Sequence, residues 1–529
     1  MRKQIFRNVV GVSLVAFAIV FVLATVLMSC PPPAAPGTFG NITQFVQLLQ
    51  NDGFTVQEGR LNEANPVELF CDNITPSCYA FNKSTPYCVY LLPPAPNQPA
   101  GLIDPYPFGS RLRADEALVF VGYTPPPCKY FGYQMYLGLR YAHWMYHNEE
   151  INSYKRVYAD VGDAINNMTI KTGRSRDGKK TGSPFDSETI IIYAADKGVA
   201  DRVCNALLGA GATSDVINVS VLPSQYLRMG AGATDDIFTS LHRVAFFDDP
   251  ADDAAYFPGT QVEPIYTITE DGVEFVAPPY ESNFRGHVYR VSPTTPLTGA
   301  QLNPYPAPTL RSRGTGITEH QYTNTMENLR DAILAQYAAE DYEAIELDSY
   351  VWLYDGYEYI QRELDGLGET RDTIYLRSSD FELGPDDFAV VYGPVHALTG
   401  KSTYSSLTLY SSDLSPDAGK GIYQYFPEEE QPLIYDGLFS ISDADENGLC
   451  GTAGAYLPND PNADLFYAWV TSRQAAAGAN ETQVPAPDCD RIPLEKFCVG
   501  FRAYLEPGTN VGPDAAELIF DQVIVFHKK

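Results

Sequence analysis

The chain has 529 residues, more than one hydrophobic core usually serves, so two or three domains are expected. Hydrophobic residues make up 45% and aromatics 12%, with 36 Tyr and 27 Phe, which excludes a disordered chain. Asp and Glu number 66 against 36 Lys and Arg, and the formal charge of -30 argues against a nucleic-acid partner and suits salt-rich surroundings that screen self-repulsion.

At the start, Arg2, Lys3 and Arg7 precede an uncharged apolar run from Val9 to Met28, which ends at Ser29 and Cys30. A basic region before an apolar one is the pattern of an export signal. Residues 1–30 resemble the signals of bacterial lipoproteins, whose lipobox ends in a small residue and a cysteine. The resemblance implies lipidation of Cys30 and a globular part tethered outside the cytoplasm, in the cell envelope, with the membrane as its partner. The run is also long enough to cross a bilayer uncut, as an anchor with the basic residues inside. Either way the remainder is placed beyond the membrane. Residues 31–40 are proline-rich, a short stiff linker.

A mixed α/β and α+β fold is expected. Residues 41–290 form an N-terminal region, cysteine-bearing over 41–130 and α/β over 131–290. Strands are predicted at Cys88–Leu92 and Ala117–Tyr123, the latter stopped by Pro125, Pro126 and Pro127. A helix is predicted from about Gly132 to His147. Next come a buried strand at Thr189–Ala194, an amphipathic helix at Lys197–Leu208 capped by Asp196 and closed by Gly209, and a strand at Val216–Leu222. That order and spacing predict a parallel βαβ crossover. The octamers LGAGATSD from Leu208 and MGAGATDD from Met229 lack the placement of a dinucleotide loop, the first ending a helix rather than opening one.

Residues 291–320 accumulate proline and glycine and are read as a joint. Over 321–529 an α+β domain with a largely antiparallel sheet is expected. Its helix would be capped by Asn324 and Glu327 and would bury Met326, Leu329, Ile333 and Tyr337. Strands follow from Glu343, Asp372, Phe388, Ser402, Leu465, Phe497 and Glu517, and their alternation implies sheets with one wet face.

With Cys30 lipidated, eight cysteines remain, an even number that fits an oxidising compartment. Two bridges are expected among Cys71, Cys78, Cys88 and Cys128, and one among Cys450, Cys489 and Cys498. Cys204 lies in a predicted helix and is read as a buried thiol.

Among chemical candidates, His396 at a strand end is the first choice for an acid or base. Gly400, Lys401 and Ser402 imitate the end of a phosphate loop, but Val395 stands where its first glycine belongs, and a hairpin connection is expected instead. His143 and His147, four apart on the predicted helix, would face one way toward a metal. Asp443, Asp445, Asn447 and Gly448 match the first half of a calcium loop, with Gly454 in place of the closing Glu. Calcium is therefore the one cofactor considered, and Asp248, Asp249, Asp252 and Asp253 are a weaker acidic cluster.

No complete catalytic set is present. The tether and the many tyrosines point to a binding or surface-interaction protein for a sugar- or peptide-like ligand. An extracytoplasmic hydrolase using carboxylates distant in sequence, with calcium support, is the alternative, and a structural envelope protein the second.

Overall fold

The computed structural model describes residues 38–72, 81–82, 85–99, 109–146, 149–257, 266–269, 272–275, 285–338, 341–353, 355–412, 438–474, 481–490, 492 and 494–529. Cys30, Cys78, His147 and the apolar run before Ser29 lie outside them. Among the described residues no helix is long and apolar enough to cross a membrane.

In chain order come α1 (Ile42–Asn51), β1 (Phe54–Glu58), β2 (Arg60–Ala64), α2 (Pro66–Cys71), β3 (Tyr87–Leu91), β4 (Ala117–Tyr123), β5 (Cys128–Tyr146), β6 (Glu149–Asp160) and β7 (Ile165–Asn166). Then follow β8 (Glu188–Ala194), α3 (Lys197–Gly209), β9 (Ile217–Val221), β10 (Ile237–Phe247), α4 (Pro250–Tyr256), β11 (Tyr266–Thr269), β12 (Gly272–Phe275) and β13 (Gly286–Pro293). The rest comprises α5 (Thr323–Ala338), β14 (Tyr342–Leu347), β15 (Ser349–Leu353), α6 (Gly356–Arg362), β16 (Thr373–Ser378), β17 (Phe381–Glu382), β18 (Phe388–Pro394) and α7 (His396–Thr399). It closes with β19 (Tyr404–Ser412), β20 (Leu438–Asp445), α8 (Glu446–Leu449), β21 (Phe466–Ser472), β22 (Glu481–Gln483), β23 (Lys496–Tyr504) and β24 (Gln522–Lys528). The fold is mixed α+β, with antiparallel pairs dominating.

Apart from the two-stranded hairpin β11-β12 and the short strands β7 and β17, two sheets are built before residue 294, in the orders β1-β13-β4-β8-β9 and β2-β3-β10-β5-β6. Two more follow, in the orders β14-β24-β18-β21-β22 and β15-β16-β23-β19-β20. Numbered along each part of the chain, the two sets are the same arrangement, so the topology occurs twice. In each copy the last strand of the first sheet is added parallel, β9 on β8 and β22 on β21. The crossover through α3 is the βαβ unit expected from the sequence, with Asp196 Oδ1 accepting the Val199 N–H at 2.9 Å.

Side-chain identities follow the same correspondence. In the first copy Arg243 lies opposite Tyr87 and Gly132, and in the second Arg502 lies opposite Tyr375 and Ser406. Three residues beyond each arginine the backbone turns left-handed at a non-glycine residue, Phe246 (φ 50°) and Leu505 (φ 51°). Tyr130 and Tyr136 precede and follow Gly132 as Tyr404 and Tyr410 flank Ser406.

Each copy stacks helix on sheet on sheet. Phe45 and Leu49 of α1 and Val199, Val203 and Leu207 of α3 pack against Val119, Val121, Ile190 and Ile192. In the second copy Met326, Leu329 and Ile333 of α5 pack against Val390, Ile524 and Phe526, with Tyr337 beside them, which is the buried face the sequence indicates. The opposite faces of these sheets close on the second sheet of their own copy, through Phe120, Ile191, Phe131 and Tyr133 in one and Val391, Val523, Leu407 and Phe501 in the other.

The remaining faces of the two second sheets meet each other. Tyr130 and Tyr404 both lie against Tyr504, at ring-centroid distances of 4.6 and 5.0 Å. The alternation read as a wet face is thus a polar face covered by the other copy. Each copy also lends a helix: Val67 and Phe70 of α2 join the apolar cluster of the second copy, while Tyr359 and Ile360 of α6 join that of the first. The disulfide Cys71–Cys489 fastens this exchange at the end of α2.

That bridge corrects the expected local pairings. Cys88, Cys128 and Cys498 are buried free thiols, Cys450 an exposed one and Cys204 an intermediate one. Their bland roles follow from position: alternate residues of β3, β5 and β23 point into cores, where thiols pack as small hydrophobes. The stretch expected as a helix from Gly132 is β5, because Phe131, Tyr133, Met135 and Leu137 alternate onto one face and two glycines weaken a helix. The strand expected from Glu517 begins at Gln522. The connection from β18 to β19 is not a hairpin, since the two strands belong to different sheets. Residues 294–319 lie across both copies as a fastened strap. Arg311 donates to the carbonyls of Asn510 and Ala164, and Arg313 to Asp355 and the Thr373 carbonyl.

Candidate functional site

The segment from Lys171 to Lys180 holds Lys171, Arg174, Arg176, Lys179 and Lys180, a dense run of cations in a chain of formal charge -30. It leads from β7 to β8 and folds back on itself. Ser175 N–H donates to the Lys180 carbonyl at 2.8 Å, the Lys180 N–H to Ser175 Oγ at 2.8 Å, and Gly182 N–H to the Gly173 carbonyl at 2.9 Å. Left-handed Gly178 and Gly182 (φ 73° and 72°) make the turns, a backbone region glycine enters without strain. Asp177 accepts from Ser175 Oγ at 2.7 Å and from the Lys179 N–H at 3.0 Å, and these bonds, the backbone one first, lower its carboxyl to about 2. The base of the loop is tied to the sheet by the Asp186 N–H on the Pro125 carbonyl at 2.8 Å.

The loop walls an open basin of about 430 Å³, lined by Arg176, Lys180, Arg285, Ser175, Ser183 and Phe185, with Pro127, Asp177 and Asp186 completing it. Its volume is that of a small-ligand site. Arg285 pairs with Asp186. Arg176 and Lys180 are exposed, and among the described residues neither has a carboxylate partner. Phe185, held edge-on to Phe131 at 5.8 Å, supplies an apolar surface beside the cations and two serine hydroxyls. Local sequence pattern marks the proline run only as a strand stop and carries no motif at the cationic run, whose one signal is its contrast with the acidic whole.

His396 lies 3% exposed at the start of α7. Its Nδ1 is 2.8 Å from Glu319 Oε1 and its Nε2 3.2 Å from Asp521 Oδ2. Burial alone would lower the imidazole, but the two carboxylates outweigh it and raise it to about 10. Glu319, which burial would raise, is held below its usual range by that imidazolium, the Thr399 hydroxyl and the Ile519 N–H. Tyr467 donates to Asp521 Oδ1 at 2.7 Å. An imidazolium that donates from both nitrogens offers no lone pair to a proton or a metal at neutral pH, and this one fastens the strap to β18 and β24. Lys401 is likewise enclosed, on Glu506, Glu517 and the Ile317 carbonyl, with Gly400 (φ 84°) ending α7.

Asp445 Oδ1 accepts the N–H groups of Asn447 and Gly448 at 3.1 and 3.3 Å, and Asn447 Nδ2 donates to Asp445 Oδ2 at 3.0 Å. These bonds make a capped turn into α8; the side chain of Asp443 lies outside the described residues. Asp249 similarly caps α4 through the Ala251 N–H at 2.9 Å. His143 sits on β5 with Nδ1 2.7 Å from Asn152 Oδ1. Among the described residues no three His, Cys, Asp or Glu side chains are placed to hold a metal ion.

A carboxyl pair lies between the copies. Glu369 Oε1 accepts the Asp160 N–H at 3.0 Å, and Asp160 Oδ2 accepts from Gln134 Nε2 at 2.7 Å and the Arg371 N–H at 3.1 Å. Burial raises both carboxyls; Arg371 partly offsets the rise at Asp160, while the Asp160 charge lifts Glu369 further. The pair is sealed under the interface, away from the basin. Most of the largest buried side chains are tyrosines, among them Tyr130, Tyr133, Tyr193, Tyr404 and Tyr504, so much of the tyrosine content is core rather than binding surface. No protein-family model and no curated protein sequence matches the chain.

Proposed function

We propose that the chain is an exported, membrane-tethered binding protein that holds an acidic, sugar-like ligand in the basin of Arg176, Lys180 and Arg285. The observation that carries this reading is a concentration of cations, two of them without carboxylate partners among the described residues, around a cavity of about 430 Å³ on a strongly acidic chain. On a chain of formal charge -30, that cluster of cations is a place where a negatively charged ligand is attracted. Phe185 gives a sugar ring an apolar face to rest on, and the serine hydroxyls give its oxygens partners. Export is supported by the basic and apolar start, by Ser29-Cys30, and by a disulfide between residues far apart in sequence, a bond that persists in oxidising compartments.

Titration calorimetry of the full chain with oligogalacturonate and with a neutral oligosaccharide of equal length tests the proposal. Binding of the acidic chain alone is expected, weakening as salt rises, with a loss of about tenfold for each of Arg176→Ala and Lys180→Ala. Equal binding of both sugars, or an unchanged affinity in the double variant, would overturn it.

A further inference from the structure

Where the two copies meet, a narrow, partly enclosed cavity of about 20 Å³ is lined by Arg243, Arg502, Tyr87, Tyr375, Thr85 and Trp352, among others. Both arginines come from topologically equivalent positions, and the tyrosines opposite them face their guanidinium groups at 5.3 Å for Arg243 on Tyr87 and 5.5 Å for Arg502 on Tyr375. Arg243 is 3% exposed. Its partners are neutral oxygens, the Gly368 carbonyl and, at 3.4 Å, the Tyr375 hydroxyl. Among the described residues its Nε has no partner, and neither has Oγ1 of Thr85, a residue 2% exposed that also lines the cavity.

A guanidinium does not give up its proton inside a protein, so Arg243 carries full charge in a place where unpaired charge is costly. Among the described residues no carboxylate lines the cavity. The carboxyl that feels Arg243 from nearby is Glu369, which burial and then Asp160 raise well above the usual carboxylate range, disfavouring its charged form. Tyr375 and Tyr504 are held neutral by the same burial. A water would satisfy hydrogen bonds but leave the charge. The space admits a body little larger than one water, which excludes sulfate, phosphate and carboxylate ligands on size.

We infer that this cavity is a halide site, occupied by chloride, which neutralises Arg243 and joins the two copies of the fold. The site is separate from the basin and does not depend on the function proposed for it. A site of modest affinity would be filled wherever chloride is abundant.

Crystals of the full chain grown in sodium bromide, with data collected at the bromine edge, locate the ion directly. An anomalous peak between Arg243 and Thr85 is expected. In parallel, the thermal midpoint in sodium chloride is compared with that in sodium gluconate at equal ionic strength. A saturable rise of several degrees in chloride is expected, reduced by Thr85→Val and abolished by Arg243→Gln. If Arg243→Gln does not fold, the bromide map and Thr85→Val decide. No anomalous peak at full bromide, or equal midpoints in chloride and gluconate, would overturn the inference.

Discussion

Raising the pH should remove the stability that the His396 imidazolium gives the strap. The imidazole titrates at about 10 in the folded chain, against an ordinary value of about 6.5 once unfolded. The folded state therefore binds a proton that the unfolded state releases over that interval. The resulting stability is fully present below pH 6.5 and is lost as pH rises toward 10. A shift of this size corresponds to about 5 kcal/mol, a large part of the 5–15 kcal/mol typical of a folded protein. The depressed carboxyl of Glu319 is the same interaction seen from its partner and adds nothing to that sum. Urea unfolding followed by tryptophan fluorescence at pH 6, 8 and 10, at constant ionic strength, measures the loss. His396→Gln removes the titrating group and leaves Glu319 and Asp521 facing no cation, so it should cost about 3–5 kcal/mol at pH 6 and flatten the difference between pH 6 and 10. If wild type and variant lose stability in parallel over that range, the imidazolium is not the source.

Asp160 has the opposite value to the fold. Its raised carboxyl means that stability is present while it is protonated and declines as pH climbs above the ordinary carboxylate range, so Asp160→Asn, which still accepts from Gln134 and Arg371, should be more stable than wild type by about 1–3 kcal/mol at pH 8 and not at pH 4 by urea unfolding. The Cys71–Cys489 bridge closes a loop across 418 positions, and Cys71→Ser should lower stability by about 2–5 kcal/mol by the same assay. In the native wild-type chain Cys450 should react rapidly with an alkylating reagent while Cys88, Cys128 and Cys498 react only on unfolding, as mass mapping of labelled peptides would register. Phe70→Ala empties a fully buried position of the helix lent to the second copy and should cost about 3–5 kcal/mol in calorimetric or denaturant unfolding.

Strands whose own residues carry the pattern were legible: Ala117–Tyr123, Phe388–Pro394 and Lys496–Tyr504 sit where apolar alternation and flanking turns indicate them. So was α3, because Asp196 and the stripe of Val199, Val203 and Leu207 act within one helix. β5 was not, because a window containing Trp144, Tyr146 and two histidines at helical spacing resembles an amphipathic face when read alone, and only pairing with β10 and β6 decides its period. The duplication left a faint trace, two tyrosines six apart in Tyr130–Tyr136 and in Tyr404–Tyr410, each followed far downstream by an arginine. Its remaining equivalences are topological. The covered polar faces and the long-range disulfide depend on how one copy meets the other, which local pattern does not encode. His396 stood out by residue type, yet its environment comes from Glu319 and Asp521, distant in sequence, and those neighbours turn a candidate base into a fixed cation.

The claim that the basic loop is the ligand site is tested most directly by hydrogen–deuterium exchange of the full chain with and without saturating oligogalacturonate. Protection confined to peptides spanning 173–187 and the neighbourhood of Arg285 is predicted. Protection elsewhere, for example around Lys171, Val219 and Arg311 at the separate cavity of about 300 Å³, with the loop unchanged, would contradict it.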